Sequence, residues 1–143
     1  MTAGSNLSIL LIDDDDVAAE AVVRGLRKHK IAYPIVVAED GLEALQILRG
    51  THATEQIVKP YLALLDLNMP RMSGIEFLQE LRTDPALHQT VVFVLTTSGA
   101  DTDRARAYQH NIAGYMVKSA IGPQCARLAS FLTEYQASVL LPS

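Results

Sequence analysis

The sequence predicts an α/β fold: a doubly wound, five-stranded parallel sheet carrying helices on both faces. Three observations predict it. Short β-rich apolar runs occur five times, at residues 7–12, 35–38, 62–65, 91–95 and 114–117. Segments of helical character separate them, and a strand-helix-strand order needs crossovers that place the helices against a parallel sheet. The helical patterns between them, at residues 17–26 and 75–81, each carry an apolar face that would cover a sheet.

The elements follow in chain order. After the first run, Val17, Ala18, Ala21, Val22, Gly25 and Leu26 mark one face of a helix. Residues 51–60 lack periodicity and read as a surface loop. Ile75, Leu78 and Leu81 recur near a 3.6-residue period and mark a helix after the third run. Residues 101–109 are polar and only weakly amphipathic, so the fourth helix is expected to be the least firmly held. The last helix is expected after Pro123, with Leu128, Ala129, Leu132 and Tyr135 on its buried stripe.

The chain has 143 residues, which suits one domain with a core of its own. With 49% hydrophobic and 20% charged residues it is too apolar to be disordered. A net charge of -4, with 12 Lys and Arg residues scattered along the chain, lacks the basic stripe of a nucleic-acid binder. Cys125 is the single cysteine, and no Cys and His cluster has metal-ligand spacing, consistent with a reducing cytoplasm. No signal peptide and no apolar run of membrane-spanning length is found, so the expectation is a cytoplasmic protein without a membrane partner. His29, His52, His88 and His110 read as surface or loop residues, and Tyr108 as partial core or contact surface.

Ligands of an open parallel sheet gather beyond the carboxyl ends of its strands. There the first run ends in Asp13-Asp14, the third in Asp66, the fourth in Thr96 and the fifth in Lys118. Carboxylates held close together repel, and a hard divalent cation with oxygen ligands, most simply Mg²⁺, relieves that repulsion. Such a site can take a phosphoryl group, because the cation and Lys118 offset charge on its equatorial oxygens and a carboxylate can act as nucleophile. No Gly-rich loop follows the first run, which argues against bound nucleotide or flavin phosphates. Taken one at a time the residues also suit plainer roles: Asp13 to Asp16 a helix start, Asp66, Asn68 and Gly74 turns, Thr96 and Lys118 structure or surface. Their joint placement at four strand ends favours the chemical reading.

Leu10-Leu11-Ile12-Asp13-Asp14, Leu64-Leu65-Asp66-Leu67-Asn68-Met69-Pro70, Ser73-Gly74, Thr96 and Val117-Lys118 together resemble the signature of response-regulator receiver domains, over nearly the whole chain. The resemblance implies a flavodoxin-like sheet of order 2-1-3-4-5 with five helices, one domain over residues 1–143, a core at about 6–136 and a tail at 137–143. It implies Asp66 as phosphoacceptor, Asp14 as a direct Mg²⁺ ligand, Asp13 as a ligand through water, and the Asn68 carbonyl as a further ligand. Lys118 would pair with a phosphoryl oxygen, Thr96 would bring its hydroxyl to it, Tyr115 would repack, and Asn68 and Ser98 would flank the path of hydrolytic water. Thr96-Thr97-Ser98, Lys118-Ser119-Ala120, the 51–60 loop and Leu141-Pro142-Ser143 look most like the small regulators paired with phytochrome kinases. Most receivers carry Pro after the lysine, with a cis bond. This chain has Ser119, before which a cis bond would cost roughly 3 kcal/mol, so the Lys118–Ser119 geometry is open.

The function so implied is that of a stand-alone signalling protein and not a turnover enzyme: it catalyses its own phosphorylation and loses the group slowly. The expected partners are a sensor histidine kinase, with a phytochrome kinase as the finer expectation, and a downstream or phosphotransfer protein. A symmetric homodimer is expected through the fourth helix, fifth strand and fifth helix, aided by the apolar tail Val139-Leu140-Leu141. The competing resemblance is to haloacid-dehalogenase-type phosphatases, with Asp13 as nucleophile and Asp15 as general acid. It leaves Asp66 without a role and lacks the acidic pair needed after Lys118, where Glu134 stands alone.

Overall fold

The computed structural model describes residues 7–142. Five strands, β1 (Ser8–Ile12), β2 (Ile35–Ala38), β3 (Tyr61–Leu65), β4 (Val91–Thr96) and β5 (Gly114–Val117), alternate with helices α1 (Asp16–Lys28), α2 (Gly41–Arg49), α3 (Gly74–Thr83), α4 (Asp101–Tyr108) and α5 (Ala126–Ser138). Every pairing is parallel and the order is β2-β1-β3-β4-β5, the architecture that the sequence predicts.

Alternate residues of the strands feed two cores. Leu10, Ile12, Ala63, Leu65, Val92 and Val94 pack beneath α2, α3 and α4, whereas Ile9, Leu11, Leu62, Leu64, Phe93 and Leu95 pack beneath α1 and α5. This two-sided burial explains why the three central strands, β1, β3 and β4, read as apolar runs. Phe93 also meets Phe131 and Tyr135 of α5 edge to face, at 5.2 and 5.3 Å between ring centres.

One face assignment needs correction. The buried stripe of α1 is Ala19, Val22, Gly25 and Leu26; Val17 is 76% exposed, Ala21 is exposed and Ala18 only partly covered. The helix carries apolar residues at six of the seven positions 17–23. Periodicity therefore leaves its rotation ambiguous, and contact with the sheet selects the stripe. In α5, Leu128, Ala129 and Leu132 are buried as expected, and Tyr135 is packed against the same core. Cys125 is buried against α1, where a Cβ on Gly25 would come within 2.9 Å of its sulfur.

The expectation for α4 matches its packing: it buries Ala107 alone and has no side-chain N-cap. Its C-terminal end is tied down by Arg82 of α3, whose guanidinium donates to the carbonyls of His110, Asn111, His88 and Thr90 at 2.7–3.0 Å. The 51–60 loop is irregular but organised. His52 Nδ1 accepts from the Thr54 and Glu55 amides, which leaves its proton on Nε2, 3.1 Å from Glu43.

Candidate functional site

The crevice at the switch point of the sheet order, between β1 and β3, receives the residues singled out by the sequence. β1 delivers Asp13 and Asp14, β3 delivers Asp66, β4 ends on Thr96, and Lys118 follows β5 directly. Asp13 is 1% exposed, Asp66 is half-buried, and Asp14 faces solvent.

The polar contacts are specific. Thr96, fully buried, donates its hydroxyl hydrogen to Asp66 Oδ1 at 2.8 Å, and the Asn68 amide donates to the same oxygen at 3.3 Å. Lys118 Nζ lies 2.8 Å from Asp13 Oδ2. Its observed partner is thus Asp13, which needs a countercharge at this depth. Asp15 serves differently: its carboxylate caps α1 by accepting from the Val17 and Ala18 amides at 3.0 and 3.1 Å. The cluster of Asp13, Asp14 and Asp66 does not include Asp15.

Burial pushes the Asp66 carboxyl above the ordinary carboxylate range. The Thr96 and Asn68 hydrogen bonds oppose the shift, Asp13 adds to it by repulsion, and Lys118 counters it. A carboxyl raised in the folded state binds its proton more tightly there than in the unfolded chain. Its contribution therefore favours the fold at low pH and fades as pH rises from the ordinary carboxylate range through the raised value. Above that window ionised Asp66 is a standing penalty. In metal-free buffer near pH 7, Asp66→Asn is expected to raise Tm by about 2–5 °C and to flatten the pH dependence of stability in that window. Thermal melts from pH 4 to 8 measure both, and a lowered Tm at neutral pH would contradict this account.

Asp13, Asp14 and Asp66 each offer a carboxylate oxygen within 4.8 Å of the others. Three clustered oxygens, one from a buried carboxylate and one from a carboxyl whose ionisation is resisted, fit a hard divalent cation. Asn68 lies at an exposed position two residues beyond Asp66, with Leu67 and Met69 buried on either side.

The loop after β4 joins this site to the molecular surface. Tyr115 donates its hydroxyl hydrogen to the Ser98 carbonyl at 2.7 Å, and its ring packs against the core beneath α4. The Ser98 hydroxyl donates to Asp103 in the first turn of α4 at 2.7 Å and accepts from the Ala100 amide. That second use of Ser98 carries no sequence signal, because it depends on how the loop folds back. Among the described residues the only cis bond is Lys59–Pro60, so Lys118–Ser119 is trans and opens a short 3₁₀ turn, Lys118–Ala120.

Comparison with known proteins agrees with this geometry. The profile of the response regulator receiver domain matches residues 9–126. Response regulator Rcp1 of Synechocystis sp. is 34% identical over 111 residues, covering 78% of this chain and 76% of its own. The crystal structure of the phosphorylated cyanobacterial phytochrome response regulator RcpA superposes with a TM-score of 0.83 at 31% identity, over 97% of this chain and 100% of that one. The Mn²⁺-bound form of Rcp1 superposes with a TM-score of 0.81 at 29% identity, over 96% and 99%. With its sheet order, its strand-end residues and these similarities in accord, the chain belongs to the response regulator receiver domain family of two-component signalling proteins.

Proposed function

We propose that this receiver is a single-domain, cytoplasmic regulator that takes a phosphoryl group from the phosphohistidine of a sensor kinase onto Asp66. The single observation that carries the reading is the Thr96 hydroxyl on Asp66 at 2.8 Å, beside the Asp13, Asp14 and Asp66 oxygens gathered within 4.8 Å. In the transfer an Asp66 oxygen attacks phosphorus, the P–N bond breaks, and its electron pair leaves with the imidazole. Mg²⁺, held by Asp14 and Asp66, by Asp13 through water and by the Asn68 carbonyl, would offset charge on the transferring group. Lys118 turns from Asp13 toward a phosphoryl oxygen, and Asn68 and Ser98 flank the later approach of water, which returns the carboxylate and free phosphate.

Thr96 and Tyr115 carry the result outward. Thr96 transfers its hydroxyl hydrogen bond from Asp66 to the phosphoryl group. Ser98, two residues on, moves with it and carries the carbonyl that Tyr115 holds. The similarity to the cyanobacterial phytochrome regulators supports a phytochrome-type kinase as donor. Metal-dependent transfer of radiolabel from a phosphorylated histidine kinase tests the reading, and failure to accept label from kinases and small phosphodonors alike overturns it.

Output through a homodimer of α4, β5 and α5 is supported by an open apolar depression of about 590 Å³ on this face, lined by Tyr108, Tyr115, Met116, Ile121 and Phe131 among others. The tail contributes less to this proposal than its composition implies. Leu141 packs on the chain's own core and Pro142 beside Tyr61 and Thr90, leaving Leu140, 89% exposed, and Val139 open. Sedimentation at micromolar concentration is expected to give a dimer for the intact chain and a shift toward monomer for Tyr115→Ala. A chain that stays monomeric with and without phosphodonor contradicts the dimer.

A further inference from the structure

Beyond the residues that would touch metal or phosphate, the structure contains a buried carboxylate with no place in that chemistry, Asp40, at the turn between β2 and α2. Its side chain is 4% exposed. One oxygen accepts from the Glu43 amide at 2.8 Å and caps α2. The other meets Arg71 Nη2 at 2.5 Å. Arg71 is itself 71% exposed and lies in the segment that links β3 to α3, three residues beyond Asn68.

The same two segments touch through their neighbours. A Cβ on Gly41 would come 2.9 Å from the Met72 side chain and 3.0 Å from Phe77 Cβ, so the turn lies in close contact with the linking segment and with α3. At its base the linking segment is closed by the Gly74 amide on the Leu67 carbonyl at 3.0 Å, and a Cβ on Gly74 would meet the Asp66 carbonyl oxygen at 2.8 Å. Residues 67–73 are thus held from beneath by α3 and from the side by the β2–α2 turn. Leu67 and Met69 set the depth of the segment by burial, which is not directional. The Arg71 guanidinium on a fixed carboxylate supplies direction, and Asn68 lies between these anchors.

We propose that Asp40 and Arg71 are positioning residues for the Asn68 carbonyl, and through it for divalent cation binding at Asp13, Asp14 and Asp66. This inference rests on the reading of those carboxylates as a cation site. Partners behind a metal ligand typically alter affinity by 10–100-fold. Because Arg71 is solvent-exposed and screened, a smaller effect is expected, about three- to tenfold.

Calorimetric titration of Mg²⁺ into the intact metal-free protein, together with metal-free thermal melts, tests the proposal. Arg71→Gln removes the charged partner at an exposed position, and Asp40→Asn keeps an oxygen for the Glu43 amide while removing the charge. Each is expected to weaken Mg²⁺ binding about three- to tenfold. The double variant is expected to lose no more than the weaker-binding single, since both break one link. Arg71→Lys should recover part of the loss, and the metal-free Tm of Asp40→Asn, which leaves no buried charge unpaired and keeps an N-cap oxygen, should stay within about 2 °C of the parent. Mg²⁺ affinities within twofold of the parent for both singles, or losses that multiply in the double, overturn the proposal while leaving the cation site intact. A parent protein that binds no Mg²⁺ overturns the cation site itself and the inference with it.

Discussion

Asp66→Asn is expected to abolish incorporation of phosphoryl groups from acetyl phosphate in the presence of Mg²⁺, whereas Asp15→Asn retains the parent rate within about threefold, a factor worth less than 1 kcal/mol. Two carboxylates near one crevice have unlike duties. Asp66 receives the Thr96 hydroxyl and shares the oxygen cluster, so its loss removes the nucleophile. Asp15 accepts the amides that open α1, and asparagine at a helix N-cap does the same work almost equally well. Quantified label after fixed incubation distinguishes the cases. Full labelling of Asp66→Asn together with loss in Asp15→Asn would transfer the chemistry to the first strand, as in the phosphatase reading.

Lys118→Met is expected to slow phosphorylation about a hundredfold or more, the usual consequence of removing a charge aimed at a developing anion. The same substitution strands Asp13, a carboxylate at 1% exposure whose ammonium partner lies at 2.8 Å. Breaking such a pair is destabilising, here by about 1–3 kcal/mol, discounted from the fully buried case because Lys118 is 20% exposed. Added Mg²⁺ should restore much of the stability, since a cation replaces the lost countercharge, but not the rate. Parallel melts and labelling time courses measure the two losses. A rate within threefold of the parent would remove Lys118 from the transfer step.

Much of this was legible in the chain because strands of a parallel sheet are apolar, most completely in β1, β3 and β4, which are covered on both faces. The runs at 35–38 and 114–117 match their strands to the residue, and the others differ by one residue at an end. The strand-end residues were legible for a related reason: polar groups that close apolar strands have few places to go except the crevice. The rotation of α1 was not, since Val17, Ala18, Ala19, Ala21, Val22 and Val23 present apolar surface in several directions. Nor was the Lys118 to Asp13 contact, which spans the sheet, or the His52 staple of the 51–60 loop, which depends on a ring accepting two amides. Asp40 was hidden by its ordinariness. An aspartate before glycine at a helix start reads as a cap, and only the folded β3–α3 segment supplies its second partner.

The assignment of the phosphoryl group to Asp66 is tested most directly by locating that group. The intact protein is incubated with acetyl phosphate and Mg²⁺, the acyl phosphate is trapped by borohydride reduction, and the peptides are sequenced by mass spectrometry. One modification at Asp66, absent when the metal is chelated, is the predicted result. Modification of Asp13, or release of inorganic phosphate with no trapped aspartate, would contradict the assignment.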